Sequence, residues 1–483
     1  MSRAGPPSGA RDLTEGPILR TLLAFAAPTL LSNILQSLNG TVNSIWVGRA
    51  LGESALAATA NANIVMFLVF STVFGFGMAA TVKVGQCFGA RDIDSARRVF
   101  GSAIGFCGGL ALVVSVGGWL GAPRLLAALG TAPEVSALAL AYLRMIFVAM
   151  PATMLTAMAS MGLRGAGDSR TPLLFMILTV AVDVILNPLL IIGVGPFPRL
   201  GIAGSALATA IAGVVALVAM IGYVYARDLP LRLRGAELRY LIPHRAELGY
   251  LVRKGVPMGA QMLIVSGAGL LMVGIVNREG VLATAAYGAT IQLWTYVQMP
   301  AMAISAAVSA MAAQAIGAKR WDRLGAATRG GIVANVLLTG VLVGAVLLFD
   351  RAALVLFLGP DSPAVPLARH IQQLASWNFV LFGVTMVLFG TMRANGVVIA
   401  PMIILAIALY GGRLGFYFVA RPWLGADAIW LAFPAGSIVS CALAIFAYRR
   451  KGWRKADLPR PSDETAEESQ ADAEPAGRMK PAL

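Results

Sequence analysis

Charge is what this sequence has least of. Of its 483 residues only 13% are Asp, Glu, Lys or Arg, where a soluble domain carries roughly 25%. Histidine occurs twice, as His244 and His370. Neither stands in a spacing that builds a metal site or a catalytic dyad, so nothing supports a membrane-embedded enzyme. The three cysteines, Cys87, Cys107 and Cys441, are odd in number and lie in or at the ends of apolar runs. They suggest neither a disulfide framework nor metal ligation. A cleavable signal peptide is not expected either. Met1 to Thr21 is polar, and the first apolar run continues into the body of the chain.

What remains is hydrocarbon. Apolar residues make up 58% of the chain and mean hydropathy is +0.76. Runs of about twenty apolar residues, the length that spans a bilayer, recur from end to end. They predict an all-α, multi-pass membrane protein. A transmembrane barrel is excluded, because barrels are written in short alternating segments. The 53 glycines and 25 prolines suit membrane helices that pack closely and bend. Twelve spans can be counted. With the N-terminus inside, 29 of the 38 Lys and Arg fall on the inner side, 8 fall outside, and Arg413 lies within a span. That asymmetry is the positive-inside pattern. It predicts an inner-membrane protein with both termini in the cytoplasm. The net charge of +15 is then a topology signal and not a nucleic-acid surface.

The order along the chain follows. Residues 1–17 form a Pro/Gly-rich polar lead, expected to be mobile. Six helices occupy 18–226. A basic amphipathic segment, 227–254, carries Arg227, Arg232, Arg234, Arg239, Arg245, Arg253 and Lys254. It reads as a cytoplasmic linker lying on the membrane surface. Six more helices fill 255–450. From 451 to 483 the chain turns acidic and rich in Pro, Ala and Ser, a composition expected to be disordered.

The two sets of six helices are copies. At a shift of 228 or 229 residues Ala27-Pro28 falls on Val256-Pro257, and Gln86 through Ala90 falls on Gln314 through Ala318. Arg164-Gly165-Ala166-Gly167 falls on Arg393-Ala394-Asn395-Gly396. An even number of spans keeps both copies in one orientation. Such parallel repeats typify transporters whose two lobes rock around a central site.

Polar groups inside the spans concentrate in the first lobe. Asp183 is the one carboxylate placed deep in hydrocarbon. Asn187 follows four residues later and shares its helix face, with Thr179 a turn earlier. Ser32, Gln36, Asn39 and Asn43 form a stripe on the first helix, beyond Pro28, which is expected to bend it. An intramembrane acid is kept only where it faces protein or water. In the second lobe the positions matching Asp183, Asn43 and Gln36 hold Gly412, Met272 and Val265. Ion coupling is therefore expected in the first lobe alone. The second lobe carries Met258, Met262, Met272, Trp294, Tyr296, Met299 and Met302, which suit core packing or a pliable binding wall. Arg413, one residue past the repeat partner of Asp183, is the other intramembrane charge. It reads equally as a cation reaching an interface or carbonyl and as a substrate contact. Glu279 is expected to pair with the adjacent Arg278. Arg164 and Arg393 are expected to hold the inner turns together.

Several stretches together resemble the multidrug and toxic compound extrusion (MATE) transporters. They are Ala27-Pro28, Val47-Gly48-Arg49, Gln86 through Ala90, Leu163 through Asp168, Leu186-Asn187-Pro188 and Gly201 through Thr209. The resemblance runs over about residues 14–450 and keeps its spacing in both halves. It implies two six-helix lobes around a V-shaped cavity. It also implies export of bulky amphipathic, often cationic compounds, driven by inward proton or sodium flow. The partners are then a small-molecule substrate and the lipid bilayer, with no cofactor beyond the coupling ion, and the chain is expected to act as a monomer.

A DinF-like prokaryotic branch places its cation site in the first lobe, with an Asp in helix 1, an Asn and an Asp in helix 5 and a Thr in helix 6. By motif position these fall on Asn43, Asp183, Asn187 and Thr209. Here Asn43 replaces the Asp, Asp183 stands at the usual Asn, and Asn187 stands at the usual Asp. One carboxylate remains where that branch has two. A second branch uses acids in helices 7 and 10, and none stands near Val265 or Phe382. With Asn39 added from its stripe, the expected coupling set is Asp183, Asn187, Asn43, Asn39 and Thr209. It would take a proton on the carboxyl, or sodium among the oxygens. The proton is favoured, because one buried carboxyl needs no coordination geometry. The expected substrate cavity is lined by Gln36, Gln261, Met262, Gln292, Tyr296, Met299 and Arg413, with Pro28 as the conformational kink. The rivals are a flippase for a lipid-linked precursor, which would want a more basic cavity, and a passive channel, which would not move substrate uphill.

Overall fold

In hydrocarbon every backbone N–H and C=O must be paired by its own segment or its protein neighbours, so long apolar runs close on themselves as helices. The computed structural model describes residues 12–128, 133–193, 198–450 and 453, and among them every regular element is a helix. The first lobe comprises α1 (Ile18–Leu51), α2 (Glu53–Gly89), α3 (Ile93–Ala128), α4 (Pro133–Gly165), α5 (Arg170–Pro188) and α6 (Ile202–Ala226). A π-helical turn, Leu189–Gly193, extends α5. The second lobe comprises α7 (Arg245–Asn277), α8 (Val281–Gly317), α9 (Trp321–Leu348), the short α10 (Asp350–Leu358), α11 (Ala364–Ala375) and α12 (Asn378–Ala394). It ends with α13 (Ile399–Ala406), a π-helical stretch over Ile407–Leu414, α14 (Gly415–Leu424) and α15 (Asp427–Arg449). Eleven helices are long and apolar enough to cross a bilayer, with α13 to α14 counted as one. The pair α11–α12, bent by 46°, supplies the twelfth. Gly193 to Gly201 joins α5 to α6; its residues 194–197, like the acidic tail and residues 1–11, lie outside the described residues.

The repeat is written into the backbone as well as the sequence. Residues with positive φ recur in pairs: Gly52 with Gly280, Arg91 with Lys319, Gly167 with Gly396 and Gly201 with Gly425. The first three pairs keep the shift of 228 or 229. The last is 224, because the α5–α6 connection is longer in the first lobe.

Each lobe's first helix begins on the other lobe. Leu22, Phe25 and Ala26 of α1 pack with Ile304, Val308 and Met311 of α8, while the far half of α1 runs along α5. In the mirror arrangement Leu251 and Met258 of α7 join the core formed by α2, α3 and α4. The lobes touch most closely towards the end that carries the termini. There Gln86 Nε2 donates to the Ala394 carbonyl at 2.8 Å, and its repeat mate Gln314 donates to the Gly165 carbonyl at 3.3 Å. Gly89 lies flat against the backbone of Gln314, and Gly317 against that of Gln86, with no room for a Cβ at either.

Three expectations need correction. The lead is not wholly loose. Leu13 is fully buried, and the Arg323 guanidinium donates to the carbonyls of Leu13, Glu15 and Gly16. The basic segment is shorter and packed: α7 starts at Arg245, and Leu229, Leu231 and Leu233 are buried. Arg97 of α3 bonds Glu237 at 2.7 Å and the Pro230 carbonyl at 2.8 Å. Apolar leucines every second residue seek the protein, not the lipid surface. Glu279 pairs with Arg421 of α14 at 2.7 Å, not with its neighbour Arg278.

The inter-lobe seam makes a prediction. Gly317→Val should force the seam open. Spin labels placed at Arg91 and Lys319, which flank it, should then sit farther apart than in the parent protein. An unchanged distance distribution would contradict this account of the seam.

Candidate functional site

The site begins at a helix cap. Gly167 ends α4 in the left-handed region (φ 92°). Asp168 then accepts from the backbone N–H of Arg170 at 2.9 Å and of Thr171 at 3.0 Å, which satisfies orphan donors and starts α5. Thirteen residues on, past a continuous apolar stretch, stands Asp183. Pro188 leaves α5 one donor short, and the chain continues as a π-helical turn. Gly204 lets α6 lie directly on the Leu190 carbonyl of that turn. This close approach carries Ser205 and Thr209 to the helix-5 face.

Asp183 and Asn187 are each 1% exposed. The Asp183 carboxylate accepts from Asn39 Nδ2 at 2.9 Å and from the Thr209 hydroxyl at 3.0 Å. One turn away, the Asn43 carbonyl accepts from Asn187 Nδ2 at 3.1 Å and from Ser205 at 2.6 Å. The structure thus brings all five expected coupling residues together and adds Ser205. No cation faces the carboxylate among the described residues, and its hydrogen-bond partners are neutral. Two carbonyl oxygens in the cluster, Asn39 Oδ1 and Asn187 Oδ1, are buried and accept nothing.

The rest of the polar stripe is used elsewhere. Ser32 donates back to the Pro28 carbonyl at 2.9 Å, and Thr179 to the Phe175 carbonyl at 2.7 Å. Gln36 is exposed.

A family model described as MatE matches residues 28–189 and again 257–418, once in each lobe. The chain belongs to the MATE family. A probable multidrug resistance protein of Bacillus subtilis, YoeA, is 34% identical over 462 residues, covering 95% of this chain and 99% of its own. An FAD transporter of Shewanella oneidensis is 28% identical over 312 residues, or 64% of this chain and 68% of its own. Among solved structures, a MATE protein in the straight conformation superposes with a TM-score of 0.86 at 20% identity, covering 93% of this chain and 100% of that one. Members of the family are transporters, so this multi-pass membrane protein stands among transporters and not enzymes.

The second lobe of this MATE protein distributes its expected cavity residues unevenly. Met262, Gln292 and Tyr296 are half-buried, and Met299 is buried. Gln261 is buried too, and its amide donates to the Val398 carbonyl at 3.2 Å, so it ties α7 to the α12–α13 turn. Trp294 donates to Gln372 and Ser376, each at 3.0 Å, and pins the bend between α11 and α12. Arg413 stacks on the face of Phe433, 4.5 Å from the ring centre.

The approach of α6 to α5 can be tested. Gly204→Val would insert a side chain where the Leu190 carbonyl lies. It should cost about 1–3 kcal/mol of stability, the usual price of overpacking, and abolish transport. Gly222→Val, on the same helix but facing open space, should do neither. Thermal unfolding in detergent, with efflux measured alongside, checks both.

Proposed function

We propose that the protein is a secondary antiporter of the inner membrane that exports bulky amphipathic compounds in exchange for an inward cation carried at Asp183. The observation that carries this reading is a buried carboxylate with only neutral partners. A carboxylate in the membrane interior is tolerated with a cation or a proton on it and is costly without one. The relative named a probable multidrug resistance protein supports the choice of substrate. The excess of Lys and Arg at the end that carries both termini supports a cytoplasmic orientation for that end. The lobes are then sealed towards the cytoplasm, the arrangement of an outward-facing state. One chain supplies both lobes, which suits a monomer.

The mechanism follows from α1. One half of this helix packs on the second lobe, and the other is tied to Asp183 through Asn39. Loading or unloading the carboxylate changes what Asn39 and Thr209 bond to. Pro28, which leaves the helix one backbone donor short, lies between the two halves and would let one move on the other. A cation crossing the full membrane field supplies roughly 2.3 kcal/mol per 100 mV, a gradient of about fortyfold.

A proton on Asp183 is the simpler coupling ion. Sodium is the second reading, favoured by the unpartnered Asn39 and Asn187 oxygens, which a proton on the carboxyl cannot satisfy together. Dye efflux from inverted vesicles under an imposed proton gradient or an imposed sodium gradient separates the two. Efflux should be lost in Asp183→Asn under either gradient. Undiminished efflux in a well-expressed variant would overturn the role of Asp183, and efflux with neither gradient would point to a channel.

A further inference from the structure

We propose that the second lobe holds an anion subsite built on Arg413, and that it takes a carboxylate carried on a flat aromatic body. The first observation is an unmet charge. Arg413 lies within a span, and its Nε is sealed from solvent with no hydrogen-bond partner. Other arginines of the second lobe are answered: Arg421 by Glu279 at 2.7 Å, Arg369 by Asp350 at 2.9 Å, and Arg323 by three carbonyls. Among the described residues Arg413 has no acid beside it, and it rests on the Phe433 ring. A buried cation without an anion is costly, and such residues in membranes mark binding sites.

The second observation is position. Counting from the matching helix starts, Asp183 corresponds to Gly412. In the π-helical stretch Ile407–Leu414, which winds more residues into each turn, Gly412 packs on Val439 of α15 and Arg413 beside it reaches the same helix. It does so at Phe433, which lies 224 residues beyond Thr209, the same shift that relates Gly201 to Gly425. Asp183 against Thr209 in one lobe therefore becomes Arg413 against Phe433 in the other. Gly436 leaves room for the arginine stem.

The third observation is the chemistry around it. Phe433 is packed with Tyr287 and Trp294, and Tyr287 with Trp430. The Trp430 indole Nε1, a donor only, is also buried without a partner. The first lobe thus keeps two idle acceptors around a carboxylate, and the second keeps two idle donors, Arg413 Nε and Trp430 Nε1, within one cluster of rings, with Gln372 Nε2 a third beside Trp294. Idle acceptors call for a cation. Idle donors call for an oxyanion, and the rings for a flat apolar body attached to it. Arg413 on Phe433 as a packing device would leave both donors unexplained.

This inference deepens the transport reading by naming a substrate class, but its test needs no gradient. Rhodamine B carries a free benzoate; its ethyl ester is the same dye without the negative charge. Fluorescence anisotropy gives the affinity of each for the purified full-length protein in detergent. The wild type should bind the acid at least about tenfold more tightly than the ester, the ratio expected of one charge-assisted hydrogen bond. Arg413→Gln should bind the two alike while still binding the ester. Arg413→Met, which keeps the apolar stem, replaces it if the amide variant does not elute as a single species. Equal affinities in the wild type would overturn the subsite, and so would a preference that survives loss of the guanidinium. A failure of Asp183 coupling would leave these binding ratios unchanged, so the two claims fall separately.

Discussion

A charge inside a membrane has to be met, and the polar architecture of this protein follows from how each one is met. At the ends of the helices arginines find acids or carbonyls close by, as Arg97 finds Glu237 and Arg323 finds the lead. Asp183 and Arg413 have no counter-charge among the described residues, and neither has Arg144, which rests on Trp119. Asp183 is held by an amide and a hydroxyl, and Arg413 by an aromatic face. A structural ion pair would fix the lobes. Groups that wait for a partner let the partner decide which arrangement is stable, and that is what a coupled carrier requires.

The exchange of first helices turns a local event into a global one. Because α1 starts on the second lobe and ends against α5, it joins Asn39 to the lobe interface within one helix. The seam itself is held by backbone approaching backbone at Gly89 and Gly317, with two glutamines reaching across.

Much of this was legible in the sequence. Twelve spans, the parallel repeat and the asymmetry between lobes follow from hydropathy and from residue spacing, which the membrane makes unusually strict. Asp183, Asn39 and Thr209 meet as expected because polar residues in hydrocarbon have few places to go. Other features had no such signal. Gln261 looked like a cavity residue because a polar side chain in a span does not announce that a backbone carbonyl will claim it. The π-helical stretch near Arg413 has no residue signature of its own, yet within it both Gly412 and Arg413 meet α15. The docked lead was hidden by its composition: one buried leucine and three carbonyls outweigh a polar, glycine-rich sequence.

The most direct test of the central claim is to measure the cations released when substrate binds to the purified protein in weakly buffered detergent solution. The account predicts that the wild type releases a proton, or a sodium ion if sodium is the coupling ion, for each substrate bound, and that Asp183→Asn releases neither. Equal release from the variant, or none from a wild type that binds substrate, would contradict it.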